Sequence, residues 1–163
     1  MTIRLRASHP DDLPFLKTIL YEAVFWRRDA KRPSFEEAFT DYPGVIKCLA
    51  DWGERNGDTA LIATRHGSPV GAAWYRYWSE ANYIRGYMDD NVPVLVIGVH
   101  EDHRHQGIGT QLIEGLIAQA RKDGISRISL MVAKDNYALK LYQQQGFVYY
   151  SETDDSFTMV REI

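Results

Sequence analysis

The sequence predicts an α/β fold in which helices cover both faces of a twisted, mixed, mostly antiparallel sheet. Three observations lead to this prediction. Strand-like and helix-like patterns alternate along the chain. Residues 92–99 form a near-continuous apolar run, which is typical of a strand buried on both faces at the centre of a sheet. Residues 65–69 have the composition of a hairpin turn and join two strand patterns, which favours an antiparallel pair.

The first half of the chain begins with a strand and a helix. Residues 3–6 alternate apolar and polar side chains, and the polar stretch 8–12 supplies cap residues for a helix with regularly spaced leucine and isoleucine. The pattern is weaker from residue 25 to residue 57, where connections that contact substrates are expected. The elements predicted in this half are strand 3–6, helix 13–24, short helices 34–39 and 43–52, and strands 59–64 and 70–78.

The second half contains the most regular helical pattern of the sequence. From Ile108 the apolar residues recur at helical spacing, two basic residues stand in the last turn, and Gly124 fits a C-terminal cap. A charged loop separates this helix from the apolar strand before it. The elements predicted in this half are strand 92–99, helix 108–122, strand 125–132, helix 136–145, and strands 147–151 and 157–163.

Length and composition limit the class of protein. The chain has 163 residues, of which 45% are apolar and 25% charged, so we expect one globular domain over residues 1–163. The net charge of −3 argues against a strongly basic nucleic-acid binder. Cys48 is the one cysteine and cannot close an internal disulfide, which favours a cytoplasmic protein. The longest apolar run is far too short to cross a bilayer, and we expect neither a membrane segment nor a targeting signal.

A glycine-containing segment between the apolar strand and the regular helix is a candidate anion site. It reads Arg-His-Gln-Gly-Ile-Gly-Thr over residues 104–110. Helix starts expose unpaired N–H groups and a partial positive charge, and glycine lets an oxygen approach the backbone. The first turn carries no acidic residue, which suits an anion. The alternative is a tight connection whose glycines serve packing alone. A Walker loop is excluded because the chain has no Gly-Lys pair. A dinucleotide-binding fingerprint stays a runner-up, although Leu112 stands where its third glycine is needed.

Two motifs in this order resemble the GNAT superfamily of acetyl-CoA-dependent N-acetyltransferases. Residues 99–109, with Arg104, Gly107 and Gly109 after an apolar strand that ends in valine, look like its motif A. Asn136, with the Leu-Tyr pair and the Gly-Phe pair that follow it over residues 141–147, is similar to its motif B. The resemblance in element order covers essentially the whole chain, and residues 25–57 are its least diagnostic part.

The resemblance implies that acetyl-CoA is the cosubstrate. The backbone of Ile97, Gly98 and Val99 would then pair with the pantetheine arm like an added strand, and the amides of residues 106–110 would hold the pyrophosphate. Gly98 either separates this strand from its neighbour or packs against a helix. The cofactor-binding residues implied are Ile97, Gly98, Val99, Arg104, His105, Gln106, Gly107, Ile108, Gly109, Thr110, Asn136 and Tyr142.

Tyr142 is the candidate catalytic residue, because a phenol is protonated at neutral pH and can donate a proton to the departing thiolate. Its alternative role is that of a core tyrosine with a hydrogen-bonded hydroxyl. No general base stands out, since residues 94–97 of the expected strand are all apolar. Proton removal through ordered water is one possibility, and the ionisable candidates are Glu80, Asp89, Asp90 and His100.

The remaining candidate residues are those that could bind a metal ion and those that could bind the acceptor amine. His100, His103 and His105 lack the spacing of a zinc motif, so we expect no metal site. Trp26, Trp74 and Arg76 are candidates for binding the acceptor, with the arginine either holding a carboxylate or forming a surface cross-strand ion pair. The sequence thus predicts acetyl transfer to a primary amine of a small molecule or peptide, by a monomer or homodimer. The alternative is a non-catalytic module that senses acyl-CoA.

Overall fold

The computed structural model describes residues 2–28 and 30–163, which form a seven-stranded sheet flanked by helices. The strands are β1 (Ile3–Ala7), β2 (Thr59–Arg65), β3 (Ser68–Arg76), β4 (Val94–Val99), β5 (Arg127–Ala133), β6 (Val148–Glu152) and β7 (Ser156–Glu162). The α-helices are α1 (Leu13–Val24), α2 (Phe35–Asp41), α3 (Pro43–Cys48), α4 (Ile108–Lys122) and α5 (Ala138–Gln144).

The sheet is mixed and mostly antiparallel, as the sequence predicts. Its strand order is β1-β2-β3-β4-β5-β7-β6. The β4 and β5 strands are parallel, and the other neighbouring pairs are antiparallel. A parallel pair needs a long crossover connection, which α4 supplies here. The predicted α/β fold is therefore confirmed.

Helices cover the two faces of the sheet and create two apolar cores. On one face, α4 buries Leu112 and Leu116 in the same cluster as Tyr75 and Leu130 of the sheet. On the other face, α1, α2 and α3 share a cluster with Trp74 and other β3 side chains. Both sides of β3 are consequently core, and its aromatic residues stabilise the fold by removing large apolar areas from water.

The hairpin between β2 and β3 is tighter than the sequence pattern indicates. His66 and Gly67 have positive φ angles of 51° and 78°, as the favoured two-residue hairpin turns require. Because these two residues complete the reversal, β3 already begins at Ser68 rather than at residue 70. Elsewhere the predicted elements are present, and their ends differ by a few residues. In the part of the chain that is described, no helix is long and apolar enough to cross a membrane.

The β4 strand departs from the prediction of burial on both faces. Val94 and Leu95 are buried, but residues 96–99 are only half-buried. The reason is that β5 leaves β4 early, since the pairing described between them is Val94 with Ser129. Gly98 packs against a helix, because a Cβ there would lie 2.7 Å from Cγ2 of Ile19 on α1. The packing interpretation of this glycine therefore accounts for it.

Candidate active site

The divergence of β4 from β5 opens a cleft at the carboxyl end of the two parallel strands. Val94 of β4 is paired with Ser129 of β5. Among the described residues, residues 95–99 of β4 have no partner in β5. Unpaired strand N–H and C=O groups can hydrogen-bond to an extended ligand in the manner of an added strand. The cleft therefore offers backbone recognition to a linear molecule that carries amides.

The loop after β4 directs backbone N–H groups toward the same cleft. Gly107 precedes α4 with a φ angle of 81°, and no side chain caps the helix among the residues that the structure describes. The N–H of Gln111 is the first to bond within the helix, to Gly107. The amides of residues 108–110 are therefore available to an anion, and the helix dipole favours negative charge at this point.

Side chains from distant elements fix this loop. Arg65, at the end of β2, places one Nη atom 3.0 Å from Nδ1 of His103 and donates from the other to Oε1 of Gln106 at 2.8 Å. Arg104 donates from Nε to the carbonyl of Val99 at 3.0 Å and contacts Glu22 of α1 at 3.4 Å. Sequence reasoning missed Arg65, because no local pattern indicates that a strand-end arginine reaches a loop about 40 residues away.

These elements enclose a cavity of about 310 Å³. Its walls come from β4, the loop before α4, the first turn of α4, and α5. Most of the predicted cofactor-binding residues line it, namely Ile97, Gly98, Val99, Arg104, His105, Gly107, Ile108, Gly109, Thr110 and Tyr142. His103, Tyr137, Ala138, Lys140, Leu141 and Gln144 complete the lining.

Two predicted cofactor-binding side chains have other partners. Gln106 accepts the hydrogen bond from Arg65, so its side chain holds the loop. Asn136 accepts a hydrogen bond from the N–H of Ala138 at 2.9 Å and thereby satisfies an amide at the start of α5. Neither residue lines the cavity. The prediction that Asn136 caps this helix is wrong in position, because α5 begins at Ala138 and Tyr137 is its N-cap residue. Tyr137 also contributes to the cavity wall.

Tyr142 lines the cavity and is the buried residue of α5. The residue is buried, and its ring packs against Phe147 with centroids 6.0 Å apart. Burial raises the pKa of the Tyr142 hydroxyl above its ordinary value, because the charged phenolate would lose its hydration. Among the described residues, that hydroxyl has no hydrogen-bond partner. The site therefore holds a protonated phenol whose hydrogen-bonding capacity is not used by the fold.

None of the four ionisable candidates for a general base lines the cavity. Asp89 is paired with Arg127 at 3.3 Å, and Asp90 accepts a hydrogen bond from Tyr87. Nδ1 of His100 accepts the N–H of Asp102, and Glu80 is exposed. Among the described residues there is also no group of three or more acidic, histidine or cysteine side chains that could hold a metal ion.

Two of the three acceptor candidates are not accessible, which corrects the sequence interpretation. Arg76 is 1% exposed and forms a buried ion pair with Asp58, so it neither faces a ligand nor forms a surface cross-strand pair. Trp74 is equally buried and packs against Trp52 in the core below α1. The cause in both cases is that helices cover both faces of β3. Trp26 is half-buried and lines a second cavity beside the first.

Comparisons with known proteins agree with this geometry. The model of the acetyltransferase (GNAT) family matches residues 21–147. The PaiA N-acetyltransferase from Thermoplasma acidophilum, solved in complex with coenzyme A, is 17% identical with a TM-score of 0.72 and full coverage of both chains. The ribosomal-protein-alanine N-acetyltransferase from Brucella melitensis is 22% identical with a TM-score of 0.68, and 98% of this chain and 99% of that chain are covered.

An acetyltransferase from Thermus thermophilus is also similar, at 24% identity and a TM-score of 0.69, with 100% of this chain and 98% of that chain covered. At these identities the structural likeness shows the fold. A search among curated proteins gave no matching relative.

Proposed function

The chain belongs to the GNAT acetyltransferase family, and on that premise we propose that residues 1–163 form a single N-acetyltransferase domain. Its reaction is direct transfer of an acetyl group from acetyl-CoA to a primary amine of a small molecule or peptide. The observation that carries the proposal is the cleft between β4 and β5, which joins unpaired strand backbone to the open start of α4. A cytoplasmic location is part of the same proposal.

The residues of the cleft fit the parts of acetyl-CoA. The cosubstrate has a pyrophosphate and, next to it, a pantetheine arm with two amides. The amides of residues 108–110 suit the pyrophosphate, and Gly107 leaves open space, since a Cβ there would meet no atom within 4 Å. The half-buried backbone of Ile97, Gly98 and Val99 suits the amides of the arm. The cavity of about 310 Å³ is of the size that small-molecule sites have.

Bound acetyl-CoA supplies an acetyl group on a thiol leaving group. The reaction needs one proton to be removed from the amine nitrogen and one proton to be delivered to the sulfur. When the bond from the amine nitrogen to the acetyl carbon forms and the carbon–sulfur bond breaks, the sulfur needs a proton. Tyr142 is placed to donate it, because its hydroxyl is protonated and bound to no described residue. The amine loses its extra proton to solvent, since no carboxylate among the described residues lines the cavity. The phenolate left on Tyr142 regains a proton from solvent, so that the amine and acetyl-CoA yield an amide and the CoA thiol.

The absence of a carboxylate from the described lining of the cavity also favours the second candidate, a non-catalytic sensor of acyl-CoA. Residues 94–97 of β4 are apolar, so no ionisable side chain from this strand can remove a proton from the amine. A sensor and an enzyme share the cofactor site and differ in turnover. Binding alone therefore cannot separate them, whereas release of CoA can.

The test is a screen of amines with detection of the released thiol. Amino acids, polyamines, aminoglycosides and peptides with free N-termini are incubated with acetyl-CoA, and propionyl-CoA is run in parallel to define the acyl group. The enzyme proposal expects CoA release with at least one class of amine, at a rate that depends on Tyr142. Thermal stabilisation by acetyl-CoA without release in any class would instead establish the sensor.

A further inference from the structure

The loop before α4, residues 100–107, has a backbone conformation that its own residues do not favour. His105 has a φ angle of 61°, in the left-handed region that few residues other than glycine adopt, and Gly107 follows with a φ angle of 81°. A residue with a side chain stays in this region only where contacts from the surrounding structure hold it there. The shape of this loop therefore depends on residues outside it.

Arg65 holds the loop on both sides of His105. One Nη atom lies 3.0 Å from Nδ1 of His103, and the other donates to Oε1 of Gln106 at 2.8 Å. Arg65 is the last residue of β2, which lies between β1 and β3 in the sheet and leads into a tight two-residue turn. A strand end that is paired on both edges thus fixes the loop at two points, one before and one after the strained residue.

The contact with Arg65 also determines which nitrogen of His103 carries a proton. A guanidinium group has donors and no acceptor, so Nδ1 of His103 must accept, and the proton of the neutral ring lies on Nε2. His103 lines the cavity that is proposed for the cofactor. The arginine therefore sets both the position and the tautomer of a ring in the cavity wall.

Arg65 influences the cavity by way of its partners in the loop. It is not among the described residues that line the cavity, and neither is Gln106. Arg104 also holds the loop, through the carbonyl of Val99, but Arg104 lines the cavity and can contact a ligand directly. Replacement of Arg65 consequently changes the support of the loop without removing a group from the cavity wall.

We propose that Arg65 is a positioning residue for acetyl-CoA: through His103 and Gln106 it keeps the loop before α4 in the conformation that leaves the amides of residues 108–110 open to the pyrophosphate. This inference rests on the proposed function, because it takes the pyrophosphate to bind at the start of α4. Without Arg65 the loop gains other conformations, in which residue 105 leaves the left-handed region. Only the fraction of the protein that retains the original conformation is then ready to bind the cofactor.

The expected loss of affinity follows from that fraction. The apparent Kd equals the intrinsic Kd divided by the fraction of the protein in the binding-competent conformation. If this fraction falls to about one tenth when both contacts are removed, the Kd for coenzyme A rises about tenfold. The pyrophosphate and the acetyl group lie at opposite ends of the pantetheine arm, so kcat at saturating acetyl-CoA should not change.

Calorimetric titration with coenzyme A tests the proposal. Arg65→Met keeps the apolar stem of the side chain and removes both contacts, so the Kd should rise about tenfold. Arg127→Met is the matched control, because Arg127 also stands at a strand end and is half-exposed, and it contacts Asp89 instead of the loop. The control should leave the Kd unchanged. With an amine found in the screen, Arg65→Met should raise KM for acetyl-CoA at unchanged kcat.

Arg65→Lys separates positioning from simple attraction between charges. Lysine keeps the positive charge but lacks the planar pair of donors, so it cannot contact both loop residues in a fixed geometry. Positioning predicts that Arg65→Lys binds coenzyme A nearly as weakly as Arg65→Met does. Wild-type affinity in the lysine variant would show that charge alone matters and would overturn the proposal.

A double-mutant cycle with Gln106 tests whether Arg65 acts through the loop. Gln106→Leu removes one of the two contacts and should raise the Kd for coenzyme A about threefold. The double variant should bind like Arg65→Met alone, because the contact between the two residues is already lost. Additive effects, with a Kd about thirtyfold above that of the wild type, would contradict this route.

The wild type and the stability of the variants complete the test. If coenzyme A does not bind the wild type, the proposed function fails. If it binds and Arg65→Met leaves the Kd unchanged, only the present inference is overturned. In thermal melts without ligand, Arg65→Met should lower Tm no more than Arg127→Met does. If Arg65→Met does not fold, Gln106→Leu serves in its place, and an unchanged Kd in that variant would overturn the inference.

Discussion

Arg76 and Asp58 form a bidentate ion pair that is almost completely removed from water. Nε of the arginine lies 2.9 Å from Oδ1 of the aspartate, one Nη lies 2.8 Å from Oδ2, and the side chains are 1% and 2% exposed. The other Nη donates to the carbonyls of Cys48 and Ala50 just at and after the end of α3. The Nη that contacts Asp58 also donates to the carbonyl of Asp51 at 3.4 Å, so all five N–H groups have partners. Arg76 therefore joins β3 to the end of α3 and to the segment before β2, and it has no donor left for an acceptor molecule.

Replacing Arg76 with methionine should destabilise the protein strongly. The change leaves a buried carboxylate and two carbonyls without their partner, which typically costs about 3–5 kcal/mol of unfolding free energy. Urea unfolding measures the loss. The double variant Arg76→Met with Asp58→Leu should recover part of it, because no uncompensated charge remains. A variant of wild-type stability with a raised KM for the acceptor would instead restore Arg76 as an acceptor ligand.

The ion pair between Asp12 and Arg6 makes the stability of the folded state depend on pH in the acidic range. The hydrogen bond from Arg6, with the N–H of His9, lowers the pKa of Asp12 from 3.8 to about 2. A carboxylate with a depressed pKa stabilises the folded state above the unfolded pKa, and this contribution disappears as the pH falls toward 2.

Asp12→Asn should therefore lower the unfolding free energy by about 1 kcal/mol at pH 7 and make almost no difference near pH 2. Urea unfolding at several pH values between these limits measures the change. Asp11→Asn is the matched control, since the Asp11 side chain is 96% exposed and should change stability by less than about 0.5 kcal/mol at any pH. If the unfolding free energies of the wild type and Asp12→Asn differed by the same amount at every pH from 2 to 7, the lowered pKa of Asp12 would not be the cause.

The sequence was sufficient for features that depend on local patterns. The regular spacing after Ile108 and the cap at Gly124 predicted α4, which spans Ile108–Lys122 and ends before a glycine of φ 73°. The glycines at its start mark the segment where the sequence predicts an anion site, because helix starts and glycine flexibility are local properties, and anion binding there stays a prediction. Most of the residues that line the cavity beside α4 are therefore ones that the sequence analysis names.

Other features depend on residues far apart in the chain and were not predictable. The half-buried end of β4 has the same apolar composition as its buried start, and what differs is the position of β5. The burial of Arg76 depends on Asp58 and on the end of α3, and the loop before α4 is held by Arg65 through His103 and Gln106. Each of these contacts depends on how the elements pack against one another. The spacing of residues along a single element does not predict that packing.

Gly109 should be essential for cofactor binding and dispensable for folding. It lies in the first turn of α4, and a Cβ there would come 3.3 Å from Cδ2 of Leu141 on α5. Gly109→Leu should fill the space between the two helices and abolish the thermal shift produced by coenzyme A, which for the wild type at 100 times Kd corresponds to about 2.7 kcal/mol. Gly109→Ala should retain binding, because the end of the Leu141 side chain can move by a few tenths of an ångström.

Gln111→Leu is the control for Gly109→Leu, since it places a leucine on the same helix at an exposed position outside the cavity. It should leave the thermal shift unchanged. Equal shifts in Gly109→Leu and in the wild type would remove this turn from the cofactor site.

Tyr142→Phe should lower kcat while leaving the affinity for acetyl-CoA nearly unchanged. The hydroxyl donates a proton to the thiolate as the carbon–sulfur bond breaks, so its contribution is made mainly in the transition state. General acid catalysis is typically worth about 10² to 10⁴ in rate, and a loss in that range is expected where chemistry limits turnover. Because burial raises the pKa of Tyr142, the wild-type kcat should not fall through loss of this proton between neutral pH and the ordinary value of 10.0.

The stability of the same variant separates the catalytic role from a structural one. The hydroxyl bonds to no described residue, so its removal should cost almost none of the unfolding free energy, whereas a core tyrosine with a satisfied hydroxyl would lose about 1 kcal/mol. Tyr142→Leu is the matched variant that also removes the ring, and it should reduce stability as well as activity, since the ring packs on Phe147. Measurement of kcat, KM and Tm for both variants decides the question. An unchanged kcat in Tyr142→Phe, with product release shown not to limit turnover, would exclude Tyr142 as the proton donor and leave solvent to protonate the sulfur.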